Sequence, residues 1–406
     1  MSKTIIFFLF MSFFLGKSAF SQDKLSPNNG AWHGELCIND RLHLPFEIRL
    51  NTTKKGPQLC ILNGKNSTPL ILKKHKKEVY YYRFSEFDSE LCIRFNNNGK
   101  QLSGEWINYN KTSPVSIPFT AYLSDETRFL IKGIPSYDFT GRWELVFADG
   151  NQPAIGLFEQ KGNELNGTFL TETGDYGFLS GNVDENNTLY LSGFDGAHAY
   201  QFVANIGANN ELNGLFYSGK NEPTLWSGKR NEQAVLRDSD SLTTLNNQEP
   251  FSFDALKLNG RPYHFSPKKN KAAIIQIMGS WCSNCIDETN YFKELYPRYT
   301  DKDIEFIAVA FEIGSPSQKR KRLKGFVKRC EVPYRVVLGG NKGAKEAQLI
   351  FSSLNTISSF PTTIFIDKQG RVRRIHTGFS GPGTGVEYIN YKIATEKLLD
   401  EIIQDD

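Results

Sequence analysis

Two cysteines three positions apart, in Trp281-Cys282-Ser283-Asn284-Cys285, can close a disulfide or open to a dithiol. Thiol–disulfide exchange needs a thiolate, so the surroundings of the pair decide whether it can react. An apolar run, Ala272 to Met278, precedes it and reads as a buried strand. Gly279 and Ser280 break that run. Phe292, Leu295, Tyr296 and Tyr299 then recur at helical spacing. The cysteines therefore fall where a strand turns into a helix. Unpaired backbone N–H groups and the positive end of the helix dipole favour a thiolate at that point. Cys282 is expected to be acidic and exposed, with Cys285 one turn inside.

Three other readings compete. A structural disulfide does not need a strand-to-helix turn. A zinc site needs four ligands, and no second Cys or His pair at similar spacing exists in the chain. A peroxide-reducing cysteine of the peroxiredoxin type carries Pro and then Thr or Ser ahead of it, where Ile275 and Gly279 stand here. A CxxC beside a strand–helix unit is a specific signal, and redox catalysis is the reading it favours.

The 406 residues exceed one ordinary domain. Residues 1–21 have the form of a secretory signal: Lys3 is basic, Ile5 to Leu15 are almost all apolar, and Ala19-Phe20-Ser21 is a small-x-small cleavage site. The apolar core is shorter than the ~20 residues of a spanning helix. Cys37 lies too far along to carry a lipid at the cleavage point. No later stretch is apolar enough to span, so the mature protein is expected to be exported, with no integral membrane segment after cleavage.

The net charge is +4 but uneven. Residues 251–406 hold 24 Lys and Arg against 17 Asp and Glu, a surplus of seven, which leaves a deficit of three elsewhere. Much of the surplus is the run Lys319-Arg320-Lys321-Arg322-Leu323-Lys324 with Lys328 and Arg329. A solvated helix face explains it better than a nucleic-acid arm in an exported protein. Six cysteines are few for a disulfide-built scaffold. Three recur as Leu36-Cys37-Ile38, Leu59-Cys60-Ile61 and Leu91-Cys92-Ile93, and are read, like Cys330, as free; the three are taken as buried small hydrophobes.

The fold class expected is multi-domain: an N-terminal antiparallel all-β region, barrel or sandwich, followed by an α/β part. Short alternating segments fill residues 22–127, with Asn63-Gly64 and Asn98-Gly99 as hairpin signals. Residues 128–230 repeat the pattern: Gly141-Arg142-Trp143 matches Gly30-Ala31-Trp32. Evenly spaced short strands suggest a barrel or sandwich. Asp195, His198 and Glu211 are too scattered for a metal site. Of Tyr80, Tyr81 and Tyr82, alternation makes at least one core, and the others would face a ligand. Residues 231–250 are polar and read as a linker. Within 251–406 a hairpin, the CxxC unit, a basic helix over Ser315 to Cys330, a helix over Lys342 to Leu354 and a hairpin around Asp367 to Gly370 follow in turn. Gly378 to Gly385 lacks the ending of a phosphate loop and reads as a turn into the last helix, with Thr384 and Glu387 as a capping box.

Trp281-Cys282-Ser283-Asn284-Cys285, Glu288 and Phe360-Pro361-Thr362-Thr363-Ile364-Phe365-Ile366-Asp367 together resemble the TlpA/ResA-type thioredoxin-like disulfide reductases of bacterial envelopes, within the wider redoxin and AhpC/TSA-related grouping. The resemblance covers residues 251–406 and implies a thioredoxin-like fold. It implies that Cys282 attacks and Cys285 resolves. It makes Pro361 a cis-proline facing the CxxC, Phe360 a main-chain edge for substrate, and Trp281 part of the same surface. Glu288 matches the family's acidic residue, able to exchange a proton with Cys285. The competing reading of Glu288 is an exposed first-turn glutamate held by the helix dipole. Ser283 stands where related envelope proteins often carry Pro, and the CxxC interior tunes the potential.

The expectation is an exported periplasmic or envelope thiol–disulfide oxidoreductase that reduces protein disulfides. It needs no metal or organic cofactor, takes electrons from a membrane thiol relay, and binds no nucleic acid. Two alternatives remain: a ligand- or peptide-binding β module with an accessory redox domain, or a disulfide oxidase.

Overall fold

The computed structural model describes residues 28–404 apart from 55, 77, 97–98 and 247–249, so the expected leader lies outside the described residues. Strands β1 (Gly30–Cys37), β2 (His43–Thr53), β3 (Gly56–Asn63), β4 (Asn66–Lys76), β5 (Val79–Phe84), β6 (Ser89–Asn96), β7 (Gln101–Asn108) and β8 (Val115–Leu123) each pair with the next. β8 returns to β1, with Trp32 opposite Leu123, and closes a barrel. Alternation fills it. In β2, Phe46, Ile48 and Leu50 are buried while Arg49 between them is exposed. Eight strands leave an interior just wide enough for side chains. The same period corrects the reading of the three Leu-Cys-Ile motifs. Leu36, Leu59, Ile61, Leu91 and Ile93 point inward and are buried, which turns Cys37, Cys60 and Cys92 outward, free and only half-buried. Of the three tyrosines, Tyr82 is core and Tyr80 stacks on His75.

A second ring follows: β9 (Gly141–Phe147), β10 (Gln152–Lys161), β11 (Glu164–Thr171), β13 (Leu179–Val183), β14 (Thr188–Phe194), β15 (Ala199–Ile206), β16 (Glu211–Ser218) and β17 (Thr224–Arg230). β17 pairs back to β9, and the two-residue β12 (Gly174–Asp175) extends from the end of β11. Trp143, Phe169, Phe202 and Trp226 fill this ring, with Phe169 and Phe202 stacked at 4.1 Å. The rings have separate cores and meet at Phe194. Phe194 of β14 is fully buried against Phe46, Phe84 and Trp106 of the first barrel. Around it Asn63 exchanges two hydrogen bonds with the Phe194 backbone, and Trp106 Nε1 donates to the Gly196 carbonyl.

The expected linker is no free tether. Asp240 pairs with Arg374 at 2.7 Å and His376 at 2.6 Å, and Thr243 hydrogen-bonds Thr377.

The third body is a seven-stranded sheet in the order β19 (Pro262–Phe265), β18 (Phe253–Lys257), β22 (Arg335–Asn341), β21 (Ile304–Glu312), β20 (Ala272–Met278), β23 (Thr362–Ile366), β24 (Val372–Thr377). β20, β21 and β22 run parallel and are buried on both faces, which is why β20 reads as an apolar run interrupted only by Gln276. Helices α1 (Ser283–Tyr299), α2 (Pro316–Arg329) and α4 (Val386–Gln404) pack on one face, and α3 (Ala344–Ile350) on the other. Ser315 and Gln318 form a capping box at α2. The capping box expected from Thr384 and Glu387 does not form. Thr384 Oγ1 donates to the Gly381 carbonyl, and Glu387 is taken by Arg142 of the second barrel at 2.9 Å.

Candidate active site

β20 ends at Met278 and delivers Gly279, Ser280 and Trp281 to the head of α1. A Cβ on Gly279 would lie 2.4 Å from the Trp281 indole nitrogen, so only glycine lets the ring fold back over the turn. Trp281 Nε1 donates to the Phe311 carbonyl at 2.8 Å, its ring meets Phe360 edge-on, and Lys342 Nζ lies 3.7 Å above it. The Ser280 N–H and hydroxyl both donate to the buried Glu312 carboxylate, at 2.7 and 3.0 Å. Burial pushes Glu312 up to about 7.

Cys282 is the N-cap of α1, and its sulfur accepts from the Cys285 N–H at 3.2 Å. The two cysteines are joined as a disulfide with Cα atoms 5.3 Å apart. Cys285 is fully buried. Cys282 is only 9% exposed, where high exposure was expected. Phe360 stands over it, with its carbonyl 3.4 Å from the Cys282 sulfur, and the Phe360–Pro361 bond is cis. Trp281, Cys282, Phe360 and Pro361, chosen from two stretches nearly 80 residues apart, thus meet at one surface.

Glu288 is fully buried, which overturns the exposed-glutamate reading. Its carboxylate accepts from Gln276 Nε2 at 2.9 Å, Thr363 Oγ1 at 2.8 Å and Tyr391 OH at 3.0 Å. Burial raises its pKa to about 7 against the lowering pull of those donors. Gln276 also donates to the Cys285 carbonyl at 3.1 Å, so one side chain links Glu288 and Cys285. Gln276 could have been noticed as the polar residue inside the apolar run; Thr363 and Tyr391 carried no signal tying them to Glu288.

The second barrel reaches this surface through the turn from β11 to β12. Asn284, inside the CxxC, pairs its amide with the backbone of Asp175, donating to the carbonyl at 3.2 Å and accepting from the N–H at 3.1 Å. The Asp175 carboxylate accepts from the Gly381 and Gly177 N–H groups. Ser359 Oγ donates to the Thr173 carbonyl at 3.0 Å. At Gly378 a Cβ would press to 2.8 Å against Thr173, so the two backbones meet there directly. Three loops around Cys282 are therefore held by two residues of a barrel, Thr173 and Asp175. Beside Ser283 and Asn284 opens a cavity of about 370 Å³ lined by Glu86, Tyr176, Asp195 and Tyr200. The Asp287 carboxyl on its wall is pushed well up by burial and by Asp175, Glu86 and Asp195. Asp195 and His198 pair with each other at 3.2 Å, and no group of three or more metal-ligating side chains occurs among the described residues.

The Redoxin family profile matches residues 244–390. Thiol-disulfide oxidoreductase ResA of Bacillus cereus is 29% identical over 125 residues, covering 31% of this chain and 65% of that protein. ResA of Bacillus subtilis (strain 168) is 26% identical over 132 residues, covering 32% and 67%. The chain thus spans just under two thirds of the first of these relatives. A solution structure titled as a putative protein disulfide isomerase from Bacteroides thetaiotaomicron aligns at 16% identity and a TM-score of 0.31, over 41% of this chain and 95% of that one. Residues 244–390 are a redoxin domain, and both barrels lie outside the match.

Proposed function

We propose that the protein is an exported thiol–disulfide oxidoreductase that reduces protein disulfides through Cys282 and Cys285. The observation that carries this reading is the Cys282–Cys285 bond at a helix N-terminus, 3.4 Å from the Phe360 carbonyl and beside the cis-proline. Starting from the dithiol, the Cys282 thiolate attacks one sulfur of the substrate disulfide. That S–S bond breaks, one substrate thiolate leaves, and a mixed disulfide forms. Cys285 gives its proton to the Glu288 carboxylate and attacks the Cys282 sulfur. The second substrate thiolate leaves, and the Cys282–Cys285 bond closes; two electrons have passed to the substrate. A dithiol donor, which we assign to a membrane thiol relay, must return them. No helix among the described residues is long and apolar enough to cross a membrane. The interiors of both barrels are filled by packed aromatic and aliphatic side chains.

Cys285→Ser is expected to accumulate mixed disulfides with envelope proteins, read on non-reducing gels after acid quench, and Cys282→Ser to trap none. Equal trapping by both variants would overturn the assignment. The potential of the couple sets the direction: a value below that of the compartment supports reductase, a value above it oxidase. Export predicts a mature N-terminus near Gln22, and retention of Met1 in its mass spectrum would refute it.

A further inference from the structure

The basic run singled out in the sequence has a partner surface that the redox reading does not use. α2 lies against the first barrel, and a groove of about 930 Å³ runs between them. The barrel lines it with Lys73, Arg83 and Lys111, and α2 lines it with Lys321, Arg322, Lys328 and Arg329. Against these seven cations stand three carboxylates. Glu90 is engaged by Lys73 at 2.9 Å and by the Tyr109 hydroxyl, Asp88 is engaged by Arg83, and Glu331 is exposed. Among the described residues no ion pair joins the α2 lysines and arginines of the groove to these carboxylates, and Asp88 acts on Arg329 only without contact.

Arginine geometry sharpens the point. Arg322 and Arg329 are seven residues apart, on one face of α2. Gly325 between them leaves room: a Cβ there would sit 3.0 Å from Arg329 Nη1. Four guanidinium nitrogens, Arg83 Nε, Arg322 Nη1, Arg329 Nε and Arg329 Nη2, are buried without an acceptor among the described residues. Burial and the like charge of Arg83 work against the Arg329 cation, and Asp88 and Glu312 offset them in part. A buried donor without an acceptor is costly, and so are two guanidinium ions brought together. An anion with several acceptor oxygens in the groove offsets the crowded positive charge of Arg83, Arg322 and Arg329. Guanidinium forks match phosphate geometry, and a dianion answers this many cations better than one carboxylate.

We propose that the groove between α2 and the first barrel binds a doubly charged oxyanion, a phosphoryl or sulfate group. The site lies on the α2 flank and does not depend on the chemistry at Cys282. The test is calorimetric titration and thermal unfolding of the full chain with inorganic phosphate, sulfate and glycerol 3-phosphate, against chloride at matched ionic strength. Saturable binding and a saturable rise in Tm with phosphate or sulfate are expected. Glycerol 3-phosphate binding as well would assign the group to a larger carrier, and its exclusion would assign the free ion; either supports the site. Arg329→Gln is expected to weaken binding at least tenfold. Lys321→Gln and Lys328→Gln, on the exposed side of α2, keep the test decisive if the arginine variant folds poorly, and are expected to weaken it several-fold together. Equal effects of chloride and phosphate, or unchanged binding in the well-folded lysine variant, would overturn the proposal.

Discussion

Asn284, the residue before Cys285, uses its whole side-chain amide on the backbone of one residue in the second barrel, Asp175. A position between the two cysteines is thereby fixed from outside the redoxin domain, and Cys282 nearby is 9% exposed.

Asn284→Ala removes both bonds and leaves the Asp175 backbone groups to water. A cost of about 1–2 kcal/mol is expected from two hydrogen bonds of ordinary net worth. In the reduced protein, alkylation of Cys282 by iodoacetamide is expected to speed up several-fold as the barrel loop loosens. Stopped-flow alkylation with peptide mapping reads this, and an unchanged rate would show that the loop does not govern access.

Glu288 sets a pH dependence whose sign is fixed. Its folded pKa of about 7 lies above the ordinary 4.5, so between those values the folded state binds a proton that the unfolded chain does not. Stability is therefore greatest below pH ~4.5 with respect to this group and falls as pH rises to 7, by roughly 1.4 kcal/mol per unit at most. Glu312, with the same value, adds its own share. Urea midpoints across pH 4.5–8 are expected to flatten in Glu288→Gln. The second exchange step should also lose its rise through pH 7 in that variant, if Glu288 has the proton-accepting role proposed for it.

Glu312→Ala leaves the Ser280 N–H buried without an acceptor. A loss of about 1–3 kcal/mol is expected, because one partner of a buried bond has been removed. Equilibrium denaturation measures it.

Phe194→Ala empties the contact of the two barrels. About 3–5 kcal/mol is expected from the removal of a fully buried ring. Both barrels should lose stability together, which tryptophan fluorescence of Trp32 and Trp143 variants would follow separately.

The strand-to-helix turn at the CxxC was legible because the apolar pattern changes from a near-continuous run ending at Met278 to helical spacing from Phe292. The β segments were legible by alternation, but their closure was not. Ring closure joins β1 to β8 and β9 to β17, and no local pattern encodes a pairing across some 90 residues. The Leu-Cys-Ile motifs carried their own answer, since a two-residue period cannot bury all three members. Glu288 could be singled out, while its burial depended on Thr363 and Tyr391, 75 and 103 residues later. The false capping box shows the same limit: Thr384 and Glu387 are locally well placed, and an arginine 245 residues upstream takes the glutamate.

The strap from Asn231 to Asn246 has a consequence for how the barrel holds the redox loops. Pinned at Asp240 and Thr243 to β24, it makes docking of the second barrel an intramolecular event. A short, anchored connection gives such a contact an effective concentration on the order of millimolar. The bonds of Thr173 and Asp175 need no affinity of their own to stay formed, and a substrate bidding for the same loops in trans competes with a neighbour that never diffuses away.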